Sequence, residues 1–172
     1  AVLTSATLTS GGQFDFFLRE SGLYNDAAVS TLEVASPFNY AEQGSLIVTE
    51  TQADPRTPQQ FANEMVDALL EDLAQVQSGG LVLFTSREQM RLAVDALPTA
   101  MRQHVLVQNT LPRSQLLHQH RERVAAGLPS IIFGMQSFGE GLDLPGALCE
   151  SLFITKLPFA PPDDPVDEAR AE

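Results

Sequence analysis

From residue 58 onward, hydrophobic residues recur first at helical spacing and then in short unbroken runs, and the two patterns alternate along the chain. A capping-box pattern at 57–60, with proline at the first helical position, predicts the start of the first helix. Its apolar stripe consists of Phe61, Met65, Leu69, Leu73 and Val76. The Ser-Gly-Gly sequence at 78–80 predicts its end.

The unbroken apolar runs predict buried strands. They are LVLFT (81–85), VLVQ (105–108), SIIFG (130–134) and SLFIT (151–155). A second capping-box pattern at 86–89 predicts a helix after the first strand, and Thr110 with Pro112 predicts another that ends at Gly127. Strands that alternate with helices predict an α/β fold with a parallel sheet flanked by helices.

The pattern is less regular at both ends of the chain. AVLTSAT (1–7) is a strand candidate, 13–23 has helical spacing, and a strand is predicted near 46–49. The segment 159–172 is rich in proline and acidic residues, which predicts an extended loop.

Charge is distributed unevenly along the 172 residues. The formal net charge of −12 argues against a protein that binds nucleic acid over its whole surface. Residues 87–128, however, carry six arginines against three acidic residues, while the segments on either side are strongly acidic. Phosphate attraction is therefore expected only in this middle segment.

Composition excludes several other classes. The single cysteine, Cys149, excludes an internal disulfide and a four-cysteine metal or iron–sulfur site within this chain. No apolar run reaches the roughly 18 residues needed to span a bilayer, and residues 1–12 do not have the pattern of a signal peptide. We expect a soluble cytoplasmic protein with no membrane partner.

Two loops that follow predicted strands carry candidate chemistry. In the first, Thr85, Ser86 and Arg87 can hold a phosphate at the start of a helix. Alternatively, Ser86 only caps that helix and Arg87 is a solvated surface charge.

The second loop is QSFGEGLDLPG (136–146). Gly139 and Gly141 permit positive φ angles, Asp143 can accept hydrogen bonds from ribose hydroxyls or loop amides, and Glu140 can pair with an arginine across a cleft. A tight loop in which both carboxylates bind backbone N–H groups is the alternative.

Several catalytic motifs are absent from the sequence. The histidines His104, His118 and His120 do not have metal-ligand spacing and are interpreted as surface or helix-packing residues, so no metal site is predicted. The sequence contains no G-x-S-x-G elbow and no G-x-x-x-x-G-K-[ST] phosphate loop. The chain therefore lacks the machinery to hydrolyse a nucleotide by itself.

Read in order, four stretches resemble the second half of superfamily 2 DNA helicases of the DinG/XPD-like group. VLTSATL (2–8) resembles their motif III, LVLFTS (81–86) motif IV, SFGEGLDLPG (137–146) motif V, and ITKLPFAPPDDP (154–165) the segment that follows. The stretch 106–127 also fits this family.

The resemblance implies the organisation of the chain. Residues 1–24 correspond to the end of the first helicase domain and a connector, and 25–172 to the second RecA-like domain, ending before motif VI. This domain has a P-loop NTPase-like fold without its own P-loop. The implied protein is an ATP-dependent 5′–3′ DNA helicase in repair or replication, and this chain alone is expected to be inactive.

The resemblance also implies residue roles. Ser5, Ala6 and Thr7 would couple nucleotide state to DNA grip. Thr85, Ser86 and Arg87 would hold DNA backbone phosphate, whereas Glu140, Gly141 and Asp143 would face the nucleotide cleft.

The implied ligands of the complete protein are ATP and Mg²⁺. An iron–sulfur cluster, where one exists, belongs to the first domain and not to this chain. The implied partners are single-stranded DNA, forked or tailed duplex DNA, and the first helicase domain of the same protein, which is expected to be a monomer. Two alternatives are a non-enzymatic module that binds single-stranded nucleic acid or a protein partner, and a small nucleotide- or phosphosugar-binding domain.

Overall fold

A computed structural model describes residues 1–5, 8–54 and 56–157. The chain forms two compact units that divide between Ile47 and Val48. The predicted boundary between helicase domains, at 24/25, stays a prediction.

The first unit contains two short helices, α1 (Asp15–Glu20) and α2 (Tyr40–Gln43). α1 is shorter than the predicted segment 13–23, since Gly22 adopts the left-handed conformation (φ 71°) just after it. Residues 1–5 and 8–47 contain no strand beyond an isolated antiparallel bridge between Ser10 and Gln13. The strand candidate at 1–7 is therefore not a strand over 1–5, and its last two residues lie outside the described part.

The strand predicted near 46–49 is wrong. Leu46, Ile47 and Val48 are 93%, 83% and 80% exposed and belong to no strand. Their composition is typical of a strand, but a strand exists only where a neighbouring strand accepts and donates its backbone hydrogen bonds.

The second unit alternates helices and strands, as predicted. Its helices are α3 (Pro58–Leu73), α4 (Arg87–Ala96), α5 (Thr99–Arg102), α6 (Arg113–Ala125), α7 (Gln136–Gly139) and a 3₁₀ turn (Gly146–Cys149). Its strands are β1 (Gly79–Phe84), β2 (Val105–Val107), β3 (Ser130–Met135) and β4 (Ser151–Ile154).

The four strands form one parallel sheet in the order β2-β3-β1-β4. In the central pair, Gly79 is aligned with Ser130 and Phe84 with Met135. A parallel sheet flanked by helices is therefore confirmed.

Alternation along the central strands separates two apolar layers, one on each face of the sheet. Val82 and Phe84 of β1 pack with the apolar faces of α3 and α4, where the Phe84 and Phe133 rings meet edge to face at 5.2 Å. Leu81, from the other face of β1, packs with Leu116 of α6 and Phe138 of α7. Helices thus cover both faces.

Neither predicted capping box forms in full, although one of the two caps is present. The Thr57 side chain does not cap α3; its Oγ1 donates instead to the Asp54 carbonyl at 2.7 Å. Ser86 does cap α4, because its Oγ accepts the Glu88 N–H at 3.2 Å. The reciprocal bond from Gln89 is not formed, and the Gln89 Oε1 is buried without a partner.

His120 is a fully buried polar residue of α6. Its Nε2 lies 2.8 Å from the Leu148 carbonyl and its Nδ1 lies 2.9 Å from Ser130 Oγ. A carbonyl can only accept, so Nε2 carries the proton and Ser130 donates to Nδ1. The ring links α6, β3 and the 3₁₀ turn, which confirms a helix-packing role.

The burial of His120 predicts a loss of stability in mild acid. Burial lowers the pKa of this imidazole below its usual 6.5, so the unfolded chain takes up the proton first. The contribution of neutral His120 to the free energy of unfolding is therefore complete above pH 6.5. It decreases as the pH drops from 6.5 to the lower pKa of the folded state. His120→Gln should cost about 1–3 kcal/mol at neutral pH and flatten this pH dependence.

Urea unfolding between pH 7.5 and 5 measures the effect. His118→Gln is the matched control, because His118 is exposed beside Glu122 on the same helix. The assignment fails if the His120 variant keeps the wild-type acid slope.

Candidate nucleotide and nucleic-acid edge

The carboxyl ends of four parallel strands meet at one edge of the sheet. The first residues after these strands are Thr85, Gln108, Gln136 and Thr155. Ligands of open parallel α/β sheets bind outside this edge, where loops and helix N-termini present backbone N–H groups. Both sequence-predicted loops of the second unit, 85–87 and 136–146, begin here on the adjacent strands β1 and β3, and the second then runs back toward the amino end of the sheet.

The 85–87 loop joins β1 to α4. Thr85 and Ser86 are half-buried, whereas Arg87 is exposed. The Ser86 hydroxyl is occupied as the cap of α4, and the Arg87 guanidinium has no hydrogen bond or ion pair within the described part of the chain. Ser86 therefore caps α4. The exposed Arg87 guanidinium is available to bind an anion.

The two glycines of the 136–146 loop serve different purposes. Gly141 adopts a positive φ of 64°, as expected. Gly139 permits such an angle but does not adopt it here. A Cβ on Gly139 would lie 3.2 Å from Leu83 Cδ1, and close packing explains glycine there.

The side chains around Gly141 alternate in direction. Leu142 and Leu144 pack into the apolar layer beneath α6, while Glu140 and Asp143 are exposed. Neither carboxylate has a hydrogen bond or ion pair with residues 1–5, 8–54 or 56–157. The alternative in which both satisfy loop amides is therefore not found, and both acids remain available to a ligand.

Arg113 is a site residue that sequence reasoning missed. Its Nη2 donates to the backbone carbonyl of Glu140 at 2.8 Å, and its Cζ lies 5.0 Å from the centre of the Phe138 ring. The only sequence signal was position, since Arg113 opens the helix that follows β2. Gln108 joins the same region, where its Oε1 accepts the Met135 N–H at 2.7 Å.

A shallow pocket of about 190 Å³ opens between the 108–113 segment and the start of the 136–146 loop. Its lining residues are Gln108, Asn109, Leu111, Arg113, Ser137 and Phe138. Pockets that enclose drug-sized ligands measure roughly 300–1,000 Å³. This pocket is therefore too small to enclose a nucleotide by itself.

The other predicted site residues belong to the first unit. Ser5 is exposed, and Ala6 and Thr7 lie outside the described residues. Among the described residues, no group of three or more His, Cys, Asp or Glu side chains is arranged to hold a metal ion. No described helix is long and apolar enough to cross a membrane.

The four-stranded parallel sheet with helices on both faces has the architecture of a RecA-like α/β domain. Residues 69–172 match the family described as helicase C-terminal domain. The chain belongs to that family.

Curated relatives align with all or nearly all of this chain. It is 40% identical over 178 aligned positions to the ATP-dependent DNA helicase DinG of Photobacterium profundum, with 100% of this chain and 25% of the relative aligned. It is 38% identical over 168 positions to the protein of the same name from Escherichia coli K12, covering 96% of this chain and 23% of the relative. The chain thus spans about a quarter of the length of these relatives.

Proposed function

We propose that this chain is the second motor domain of an ATP-dependent DNA helicase that moves 5′ to 3′ on single-stranded DNA, in repair or replication. The observation that carries the proposal is the shared carboxyl edge, where the 85–87 and 136–146 loops both begin on adjacent strands. Relatives named as DNA helicases contain a similar stretch of sequence.

In this proposal the two loops have separate ligands. Thr85, Ser86 and Arg87 hold DNA backbone phosphate, which suits the free guanidinium and the positive end of α4. Glu140, Gly141 and Asp143 form one wall of an ATP cleft whose other wall is the first helicase domain. Their exposed carboxylates can accept hydrogen bonds from a nucleotide or pair with a cation of that domain.

The proposed mechanism couples the two ligands through the 136–143 segment. Gly141 allows the backbone to adjust when the cleft closes, while buried Phe138 and partly buried Leu142 hold both sides of the hinge against the sheet. Ser5, Ala6 and Thr7 transmit nucleotide state to the DNA grip. Alternate opening and closing of the two domains then advances the strand.

ATP with Mg²⁺ supplies the energy in the complete protein. The described residues do not form a magnesium site by themselves, and the sequence has no phosphate loop, so those parts belong to the first domain. Any iron–sulfur cluster is assigned to that domain as well. We propose a cytoplasmic monomer that acts on forked or tailed duplexes, and no activity for this chain alone.

Strand polarity tests the proposal. The complete protein is incubated with ATP and duplexes that carry either a 5′ or a 3′ single-stranded tail. Unwinding of the 5′-tailed duplex alone is expected. Unwinding of neither duplex, with single-stranded DNA still bound, would instead identify a non-enzymatic binding module.

Two substitutions of Ser86 separate capping from DNA binding. Ser86→Ala removes the cap and should cost about 1 kcal/mol of stability, whereas Ser86→Asp retains a capping oxygen. The added carboxylate repels a phosphate at that position, so Ser86→Asp should weaken binding of single-stranded DNA about tenfold, more than Ser86→Ala does. Urea midpoints and DNA titrations at fixed salt measure the two effects, and wild-type DNA affinity in the aspartate variant would contradict the phosphate role.

A further inference from the structure

The backbone between Phe138 and Leu142 has one side-chain partner in the described structure, and that partner is Arg113. The guanidinium donates to the Glu140 carbonyl at 2.8 Å and lies over the Phe138 ring. Beyond the bonds of helix α7, this segment contains a 3.3 Å turn contact from the Leu142 N–H to the Gly139 carbonyl. The middle of the segment therefore depends on Arg113 for its position.

The contact acts at the point where the loop bends. The Glu140 carbonyl belongs to the peptide unit that leads into Gly141, and glycine at a positive φ has more backbone freedom than any other residue. Buried Phe138 and partly buried Leu142 restrain the two ends of the bend, but not the peptide between them. A donor carried by α6 restricts that remaining freedom, and with it part of the freedom of Asp143.

Arg113 does not hold the domain together. It is exposed, and an exposed hydrogen bond contributes little to the free energy of unfolding. α6 is fixed independently by Leu116 and His120, both fully buried. The effect of the arginine is therefore local to the loop.

We propose that Arg113 is a positioning residue that holds the 140–143 loop in the arrangement that binds nucleotide. This inference rests on the proposed function, because it assigns ATP as the ligand of that loop. The planar guanidinium donates and covers the Phe138 ring at the same time, and lysine can reproduce only part of this. The side chain touches neither ligand and acts through the loop.

The test uses the complete protein with Arg113→Ala, Arg113→Lys and Arg91→Ala. Arg91 is the matched control, since it is also an exposed arginine with one 2.8 Å contact, to Asp95, but lies along α4 away from the loop. DNA-stimulated ATP hydrolysis gives KM and kcat. Hydrogen–deuterium exchange of the 136–146 peptide reports loop order without any need for activity.

We expect Arg113→Ala to raise the KM for ATP about tenfold with kcat changed less than about twofold, as for loss of a supporting contact to a binding group. Hydrogen–deuterium exchange of the 136–146 peptide should increase, and Arg113→Lys should recover part of both effects. The thermal midpoint of Arg113→Ala should equal that of Arg91→Ala.

Equal KM and equal exchange in the two alanine variants would overturn the inference. So would failure of Arg113→Ala to fold, because the residue would then be a structural one. Absence of ATP hydrolysis in the wild type would overturn the proposed function, and the exchange experiment would still decide whether Arg113 orders the loop.

Discussion

Replacing Gly79 with alanine is expected to prevent stable folding of the second unit. A Cβ at this position would lie 2.5 Å from the Ala147 carbonyl oxygen and closer still to the carbonyl group of Leu148. Both are backbone atoms of the segment that lies against the start of β1, so no side chain can rotate away. Overpacking of this kind costs about 3 kcal/mol or more, a large share of the stability of a small domain.

The segment is also tied to β1 by specific bonds. The Glu150 N–H donates to the Gly79 carbonyl at 3.0 Å, and Ser78 Oγ donates to the Ala147 carbonyl at 2.9 Å. A methyl group at position 79 would push the 147–150 segment away from the start of β1. It would also disturb the nearby His120 contact to Leu148. Gly80→Ala is the matched control, since its Cβ would meet atoms no closer than 3.5 Å. Equal urea midpoints for the two variants would contradict the packing.

Replacing Asp143 with alanine is expected to lower kcat/KM for ATP at least about 100-fold while leaving stability unchanged. The proposed cleft uses this carboxylate to contact nucleotide or a cation of the first domain, and loss of a charged hydrogen-bond partner in a closed site costs several kcal/mol. In the structure the side chain is exposed and has no partner among the described residues. Nothing in the fold therefore depends on it.

Glu150→Ala controls for the loss of an exposed carboxylate. Glu150 directly precedes β4, at the amino end of the sheet, opposite the proposed site. Its replacement should leave ATP turnover and DNA binding at wild-type values. If Asp143→Ala kept full ATP turnover, the nucleotide role of the 140–143 loop would be wrong.

The parts of the fold that the sequence predicts are those that local physics determines. Helical spacing identified α3, α4 and α6, because each must bury one apolar stripe. Unbroken apolar runs identified β1 and β3, because central parallel strands are covered on both faces. The run at 46–49 has the same composition, yet it lies exposed without a strand neighbour. Strand formation is decided by a partner distant in sequence, which composition does not specify.

The same division applies to the candidate site. Its position follows from the rule that ligands bind beyond the carboxyl ends of parallel strands, and the 85–87 loop and the start of the 136–146 loop do lie there. The Arg113 contact to Glu140 spans 27 residues and the His120 contact to Leu148 spans 28. Such contacts depend on how α6 docks on the sheet, and no local pattern encodes them. At Thr57 the local pattern instead predicts a contact that does not form. The sequence favours a helix cap, but the Thr57 hydroxyl donates to the Asp54 carbonyl of the preceding turn.

The most direct test of the central claim is ATP hydrolysis by the complete protein, measured with and without single-stranded DNA. If the carboxyl edge of this sheet forms one wall of an ATP cleft and part of a DNA grip, hydrolysis should rise severalfold when single-stranded DNA is added. Tight binding of single-stranded DNA without ATP hydrolysis would contradict the account, and would leave a nucleic-acid-binding module built on a motor-type fold.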